Sequence, residues 1–122
     1  MAKITRFEDL NCWKKARQLT NFVYGISSKA PFAKDYELRN QIRRAAGSAM
    51  HNIAEGFDAG TNPEFMRFLK IARRSASEVQ SQLYLALDRK YIDGSQLKTA
   101  YDLATEVKKL INGLLGYLNK KP

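Results

Sequence analysis

The chain has 122 residues, 44% hydrophobic and 27% charged, with 7 Gly and 3 Pro; this is the content of one globular domain with its own core, and it excludes a disordered chain. Its 21 Lys and Arg against 12 Asp and Glu leave a formal net charge of +9, which raises nucleic acid as a partner beside the plainer reading of a solvated, soluble surface. No apolar run is long enough to span a bilayer, the lone Cys12 excludes an intramolecular disulfide, and Met1–Asp9 lacks a signal peptide's apolar core, so a cytoplasmic protein without a membrane segment is expected.

The first predicted helix covers about residues 7–29. Thr5 and Glu8 have capping-box spacing, in which each side chain satisfies an orphan amide at the helix start. Trp13, Ala16, Leu19, Thr20, Val23 and Ile26 then share one face, and Ala30-Pro31 stops the run, because the residue before proline disfavours helical backbone.

The second helix, about 36–57, follows Asp35 as N-cap. It carries two stripes. Leu38, Ile42, Ala45, Ala49, Ile53 and Gly56 form a narrow apolar one, and Gln41, Arg44, Ser48, Asn52 and Glu55 a polar one beside it. Polar groups that close to a core are expected to pair across a helix contact, since buried polar atoms need partners.

Asp58-Ala59-Gly60-Thr61 breaks the second helix, and the third, about 63–89, opens on Asn62 as N-cap with Pro63 at the first helical position and Glu64 on the dipole. Phe65, Phe68, Leu69, Ala72, Ala76, Val79, Leu83, Ala86 and Leu87 hold one face. After a joint at 91–95, a last helix of about 95–119 turns Ala100, Ala104, Val107, Ile111, Leu114, Leu115 and Leu118 inward, and Asn119–Pro122 reads as a frayed basic tail. No segment alternates with the period of a strand. The fold class is therefore all-α, a single domain over 1–122, and short joints make an antiparallel up-down-up-down four-helix bundle.

The order of residues resembles the bacterial 23S rRNA-intervening sequence protein family. Phe7-Glu8-Asp9-Leu10, Trp13 and Ala16 match its early Phe-x-Asp-Leu-x-x-Trp-x-x-Ala. Leu38, Gln41, Ile42, Arg44, Ala45, Ser48 and Asn52-Ile53-Ala54-Glu55-Gly56 match its second helix. Phe65, Phe68, Leu69, Ala72, Ser75, Glu78 and Leu83 fit the third, and Tyr91-Ile92 the joint after it. Arg74 departs from the pattern, which often has Gly there. The resemblance covers nearly the whole chain. It implies a four-helix bundle assembling into a ring, often a pentamer, encoded within large ribosomal RNA genes or elsewhere in bacterial genomes. It also implies kinship with accessory factors of the reverse transcriptases in diversity-generating retroelements. It implies no enzymatic activity.

Arg67, Lys70 and Arg74 share the face of the third helix opposite its core, with Arg73 on the flank, and with Arg43 these four are the candidate nucleic-acid contacts. Such contacts neutralise phosphates without reading sequence. No recognition-helix signature or stacking-aromatic module is visible in the sequence. Gln41, Arg44, Ser48, Asn52 and Glu55 are candidates for a helix or subunit interface. Ile71 and Leu85, off the main stripe of the third helix with Gln82 between them, are candidates for subunit contact. Arg44 and Glu55 lie roughly 16 Å apart along one helix, too far to pair with each other.

The single His51 lacks the Cys, Asp and Glu neighbours of a metal site. Cys12 faces the core as an inert thiol, Ser75 and Ser77 have no base at useful spacing, and residues 58–61 lack the ending of a phosphate-binding loop. No catalytic, cofactor or metal residue is assigned. The expected function is a non-enzymatic oligomer that binds structured RNA or a ribonucleoprotein. The alternative is a protein-interaction scaffold or accessory subunit, for example of a reverse transcriptase.

Overall fold

A computed structural model describes residues 3–120, which form four helices: α1 (Asn11–Ile26), α2 (Tyr36–Asp58), α3 (Asn62–Asp88) and α4 (Gly94–Asn119). Short 3-10 turns at Phe7–Asp9 and Phe32–Lys34 precede α1 and α2. The described residues contain no strand. Of the expected basic tail, Lys121 and Pro122 lie outside them.

Three of the helix starts are written in local side chains. Asp35 accepts from the Leu38 amide at 3.1 Å and starts α2. Asp93 and Gln96 form a reciprocal capping box that starts α4. At α3 the cap is Thr61, one residue earlier than expected. Its backbone is extended and its hydroxyl takes the Glu64 amide at 3.3 Å, so Asn62 is already helical and Pro63 occupies the second position.

The first helix departs from expectation at both ends. Thr5 and Glu8 form no capping box; the Glu8 carboxylate instead takes Arg6 at 2.9 Å. Phe7–Asp9 makes one tight turn, Leu10 is extended, and α1 begins only at Asn11. Phe7 thereby folds its ring edge-on against Trp13, with centroids 5.2 Å apart. At the far end Ser27 donates its hydroxyl to the Val23 carbonyl at 2.6 Å, and α1 stops at Ile26 instead of Lys29. Phe32 then enters the core with no exposed surface.

The core is built from large aliphatic residues alternating with alanine. Leu19, Val23, Ile42, Ile53, Leu69, Val79, Leu83, Val107 and Ile111 are fully buried, as are Ala16, Ala46, Ala49, Ala72, Ala76, Ala86, Ala100 and Ala104. Alanine lets helix axes approach where leucine would hold them apart. Thr20, Ile26, Phe68, Leu87 and Leu114, expected inward, sit half-buried at its margin. At the α2–α3 and α3–α4 contacts, residue numbers rise along one helix as they fall along its neighbour. Ser48 meets Ser75 and Gly56 meets Phe65 and Phe68 across α2 and α3; Arg73 meets Asn112 and Gln80 meets Thr105 across α3 and α4. The α2–α3 contact is the most extensive.

Candidate nucleic-acid interface

Thr61 and Pro63 set the start of α3, and that start fixes which way its cations point. Arg67, Lys70 and Arg74 follow at helical spacing on the side away from Phe65, Leu69, Ala72 and Ala76, and all three are exposed. They are not equivalent. Both Arg67 Nε and Nη2 donate to Glu64 at 3.1 Å, and its guanidinium lies 4.6 Å from the Phe68 ring centre. That pairing holds the Glu64 carboxyl below the usual carboxylate range and raises Arg67. Part of the Arg67 charge is already answered. Lys70 and Arg74 meet no carboxylate among the described residues.

The other two candidates leave this patch. Arg73 turns toward α4 and donates to Asn112 Oδ1 at 2.8 Å. Arg43 lies five positions before Ser48 on α2, about 8 Å along the axis from the level where α2 meets Ser75, but on the side that faces α1. There it donates Nε to Ser27 Oγ at 2.8 Å and stacks over Tyr24 at 4.5 Å. Arg73 and Arg43 are thus engaged by neighbouring helices, while Arg67, Lys70 and Arg74 share the outer face of α3.

The polar stripe of α2 divides in the same way. Ser48 and Ser75 hydroxyls share a hydrogen bond of 2.9 Å between α2 and α3. Asn52 Nδ2 donates to the Ser48 carbonyl at 2.8 Å and to Ser48 Oγ at 3.0 Å. Ser48–Ser75 is the helix-to-helix stitch expected of the stripe, and Asn52 supports it from within α2. Gln41, Arg44 and Glu55 do not join it: all three are exposed, and Gln41 reaches only Glu37 of its own helix at 3.4 Å. The spacing of the stripe was right, but its edges wrap out of the contact. Asn52→Leu is expected to lower stability by about 1 kcal/mol, the usual net worth of such a bond. Glu55→Ala should leave the urea midpoint unchanged. Equal losses for both would show that Glu55 has a partner.

A second stitch was not read from the sequence. Gln80 is buried on α3; its Nε2 donates to Thr105 Oγ1 at 2.9 Å and to the Tyr101 carbonyl at 3.2 Å. Lys108 returns across the same contact to Gln80 Oε1 at 2.6 Å and Ser77 Oγ at 3.2 Å. The signal was present in Arg73, Ser77 and Gln80 at steps of four and three beside the apolar stripe. On the α2 side of α3, Ile71 is half-buried and Leu85 is 43% exposed. Between them Gln82 is buried. Its Nε2 donates to Glu78 at 3.2 Å, and its Oε1 accepts nothing from the described residues.

The remaining groups offer little chemistry. Burial pushes the Cys12 thiol up to about 11, so it is a protonated core group at neutral pH. His51 is exposed. Among the described residues no group of three His, Cys, Asp or Glu could hold a metal ion, and no helix is long and apolar enough to cross a membrane. A cleft of about 750 Å³ at one end of the bundle is walled mainly by Ile4, Leu10, Phe57, Phe65, Leu114 and Leu118, and Lys3 is its one charged lining residue.

Residues 8–113 match the family model described as 23S rRNA-intervening sequence protein. Among solved structures, the chain is similar to a protein of unknown function from the S23 ribosomal protein family of Bacteroides thetaiotaomicron. The TM-score is 0.78 at 24% identity, over 86% of this chain and 95% of that one. At that identity the likeness concerns the fold. No curated protein matches.

Proposed function

Because the chain belongs to the 23S rRNA-intervening sequence protein family, we propose that it is a non-enzymatic cytoplasmic protein that self-associates and binds structured RNA or a ribonucleoprotein through its basic surface. Its helices form an antiparallel up-down-up-down bundle, a reading supported by the opposed numbering at the α2–α3 and α3–α4 contacts. One observation carries the RNA reading. Among the described residues, only Arg6, Arg67 and Lys98 of the Lys and Arg side chains meet a carboxylate. The positive charge is left facing solvent, where neutralised phosphates would release condensed counterions.

Self-association is supported by the Ile71–Gln82–Leu85 stripe. A second copy would cover the exposed Leu85. A closed ring, a pentamer by family resemblance, would repeat the basic surface and multiply weak contacts.

The test is a fluorescence titration of an RNA stem-loop, with the protein's mass measured by light scattering in the same buffers. Affinity should fall steeply between about 50 and 200 mM salt. Arg67→Glu, Lys70→Glu and Arg74→Glu together should weaken binding at least about tenfold by removing phosphate contacts, and leave the fold intact, since these side chains point away from the core. No binding at low salt would replace this reading with a protein-interaction scaffold. A monomer mass would remove the ring.

A further inference from the structure

The sixteen residues of α1 include Lys14, Lys15 and Arg17 and no Asp or Glu. On α2, Glu37 accepts from Gln41, and Glu55 lies three positions beyond Asn52, whose neighbour Ser48 faces α3. Those two carboxylates thus belong to the other side of α2, and Asp58 ends the helix fifteen positions beyond Arg43. The edge of α2 that borders α1 carries Tyr36, Arg39 and Arg43 at helical spacing. The facing edge of α1 carries Trp13, Arg17, Thr20 and Tyr24, and Thr20 Oγ1 reaches the Ala46 carbonyl of α2 at 3.1 Å.

Along this face each guanidinium lies against an aromatic ring. Arg17 is 5.8 Å from the Trp13 ring centre, Arg39 is 4.8 Å from Tyr36 and Arg43 is 4.5 Å from Tyr24. Two of them are also held by hydrogen bonds: Arg39 Nη1 to the Ala33 carbonyl at 3.0 Å, and Arg43 Nε to Ser27 Oγ at 2.8 Å. None of the three meets a carboxylate, in contrast to Arg67 on α3. Yet Tyr36 and Tyr24 stay 64% and 48% exposed. The result is a row in which Arg39 and Arg43 are held, unneutralised, beside the open rings of Tyr36 and Tyr24, while Arg17 lies over the buried Trp13.

We propose that the α1–α2 face binds single-stranded RNA, with unpaired bases stacking on Tyr36, Tyr24 and the guanidiniums beside them while Arg17, Arg39 and Arg43 meet the phosphates. The proposal rests on the RNA reading above and adds what part of the RNA is taken. A duplex hides its base faces in its own stack and offers only phosphates and groove edges. An aromatic ring gains from RNA chiefly when a base is splayed out onto it. A surface meant for phosphates alone needs the cations and not the tyrosines. The α3 patch, with Lys70 and Arg74, then serves the backbone of either form.

The test uses fluorescence anisotropy on the full chain, with a labelled unstructured 20-nucleotide RNA and the duplex made from it and its complement. In the double variant Tyr24→Leu/Tyr36→Leu, single-strand affinity should fall at least about tenfold, the scale of losing a base stack, while duplex affinity stays within about twofold. The variant Tyr24→Phe/Tyr36→Phe keeps both rings and should bind the single strand like wild type; its melting curve and that of the Leu variant report whether each is folded. Unchanged single-strand binding by the Leu variant, equal loss for both RNAs, or failure of the Phe variant to bind would overturn the proposal. Wild type that binds the duplex and not the single strand would also overturn it while leaving the RNA reading in place. Wild type that binds neither would end both.

Discussion

Gly56→Ala is expected to destabilise the protein by about 1–3 kcal/mol, the range for overpacking a filled contact. The sign is opposite to that of the same change in an open helix interior, where alanine gains about 1 kcal/mol over glycine. Gly56 lies where α2 and α3 cross closest to their connecting joint. A Cβ there would fall 2.7 Å from Phe68 Cβ, 3.0 Å from Phe65 Cδ1 and 3.3 Å from the Phe65 carbonyl oxygen. Two of those atoms are fixed to the α3 backbone and cannot swing away, so the helices themselves must part. Gly47 is the internal control. It sits on the same helix, and a Cβ there would meet only the His51 ring at 3.8 Å. Gly47→Ala should therefore raise the melting temperature while Gly56→Ala lowers it. Paired thermal melts decide; movement in the same direction would mean that the α2–α3 contact yields.

The second large effect is expected at Phe32, where Phe32→Ala should cost about 3–5 kcal/mol, the range for emptying a buried aromatic site. This ring is fully buried although it belongs to a connecting turn. It stacks on Tyr91 with centroids 5.3 Å apart and planes inclined by 27°. Tyr91 in turn donates its hydroxyl to Asp35 Oδ2 at 3.0 Å, and the other Asp35 oxygen caps α2. One ring thus joins the α1–α2 turn, the α3–α4 joint and the start of α2. Tyr91→Phe keeps the stack and removes only the hydrogen bond, so its loss should be the smaller one in urea melts. The bond to Asp35 also raises the Tyr91 hydroxyl above its ordinary 10.0. Because the protonated form is the one stabilised, this contribution is complete below pH 10 and lost as pH rises through the raised native value. If Phe32→Ala melts like wild type, the turn is a passive connector.

These two sites differ in how far they could be read in advance. Gly56 stood on the apolar stripe of α2 and inside the run Asn52–Gly56 that marks the family resemblance, so its place in a helix contact was legible. Phe32 was not, because an aromatic residue after Ala30-Pro31 has no periodic neighbours to say which way it points. Ser48 and Asn52 were legible as a stitch. Glu55, spaced as well as they are, was not separable from them by spacing, and the structure leaves it exposed. A helical wheel places residues to within about a third of a turn, and the width of a polar contact is smaller than that.

The chain by itself determined the four helices, most of their core faces and the helix start at Asp35, because these depend on periodicity and on hydrogen bonds across three or four residues, while the capping box at Asp93 emerged only in the structure. It also determined the charge surplus and, through quoted motifs, the family. The tertiary structure decided where the cations point. Arg67 shares its charge with Glu64 through a pair within α3, one turn apart, that needs no tertiary contact. Arg73 is drawn to Asn112, thirty-nine residues away. Arg43 passes to the α1 edge, beside Tyr24 and Ser27. Electrostatic and stacking interactions act over a few ångströms, and those distances between separate helices exist only once the helices have packed.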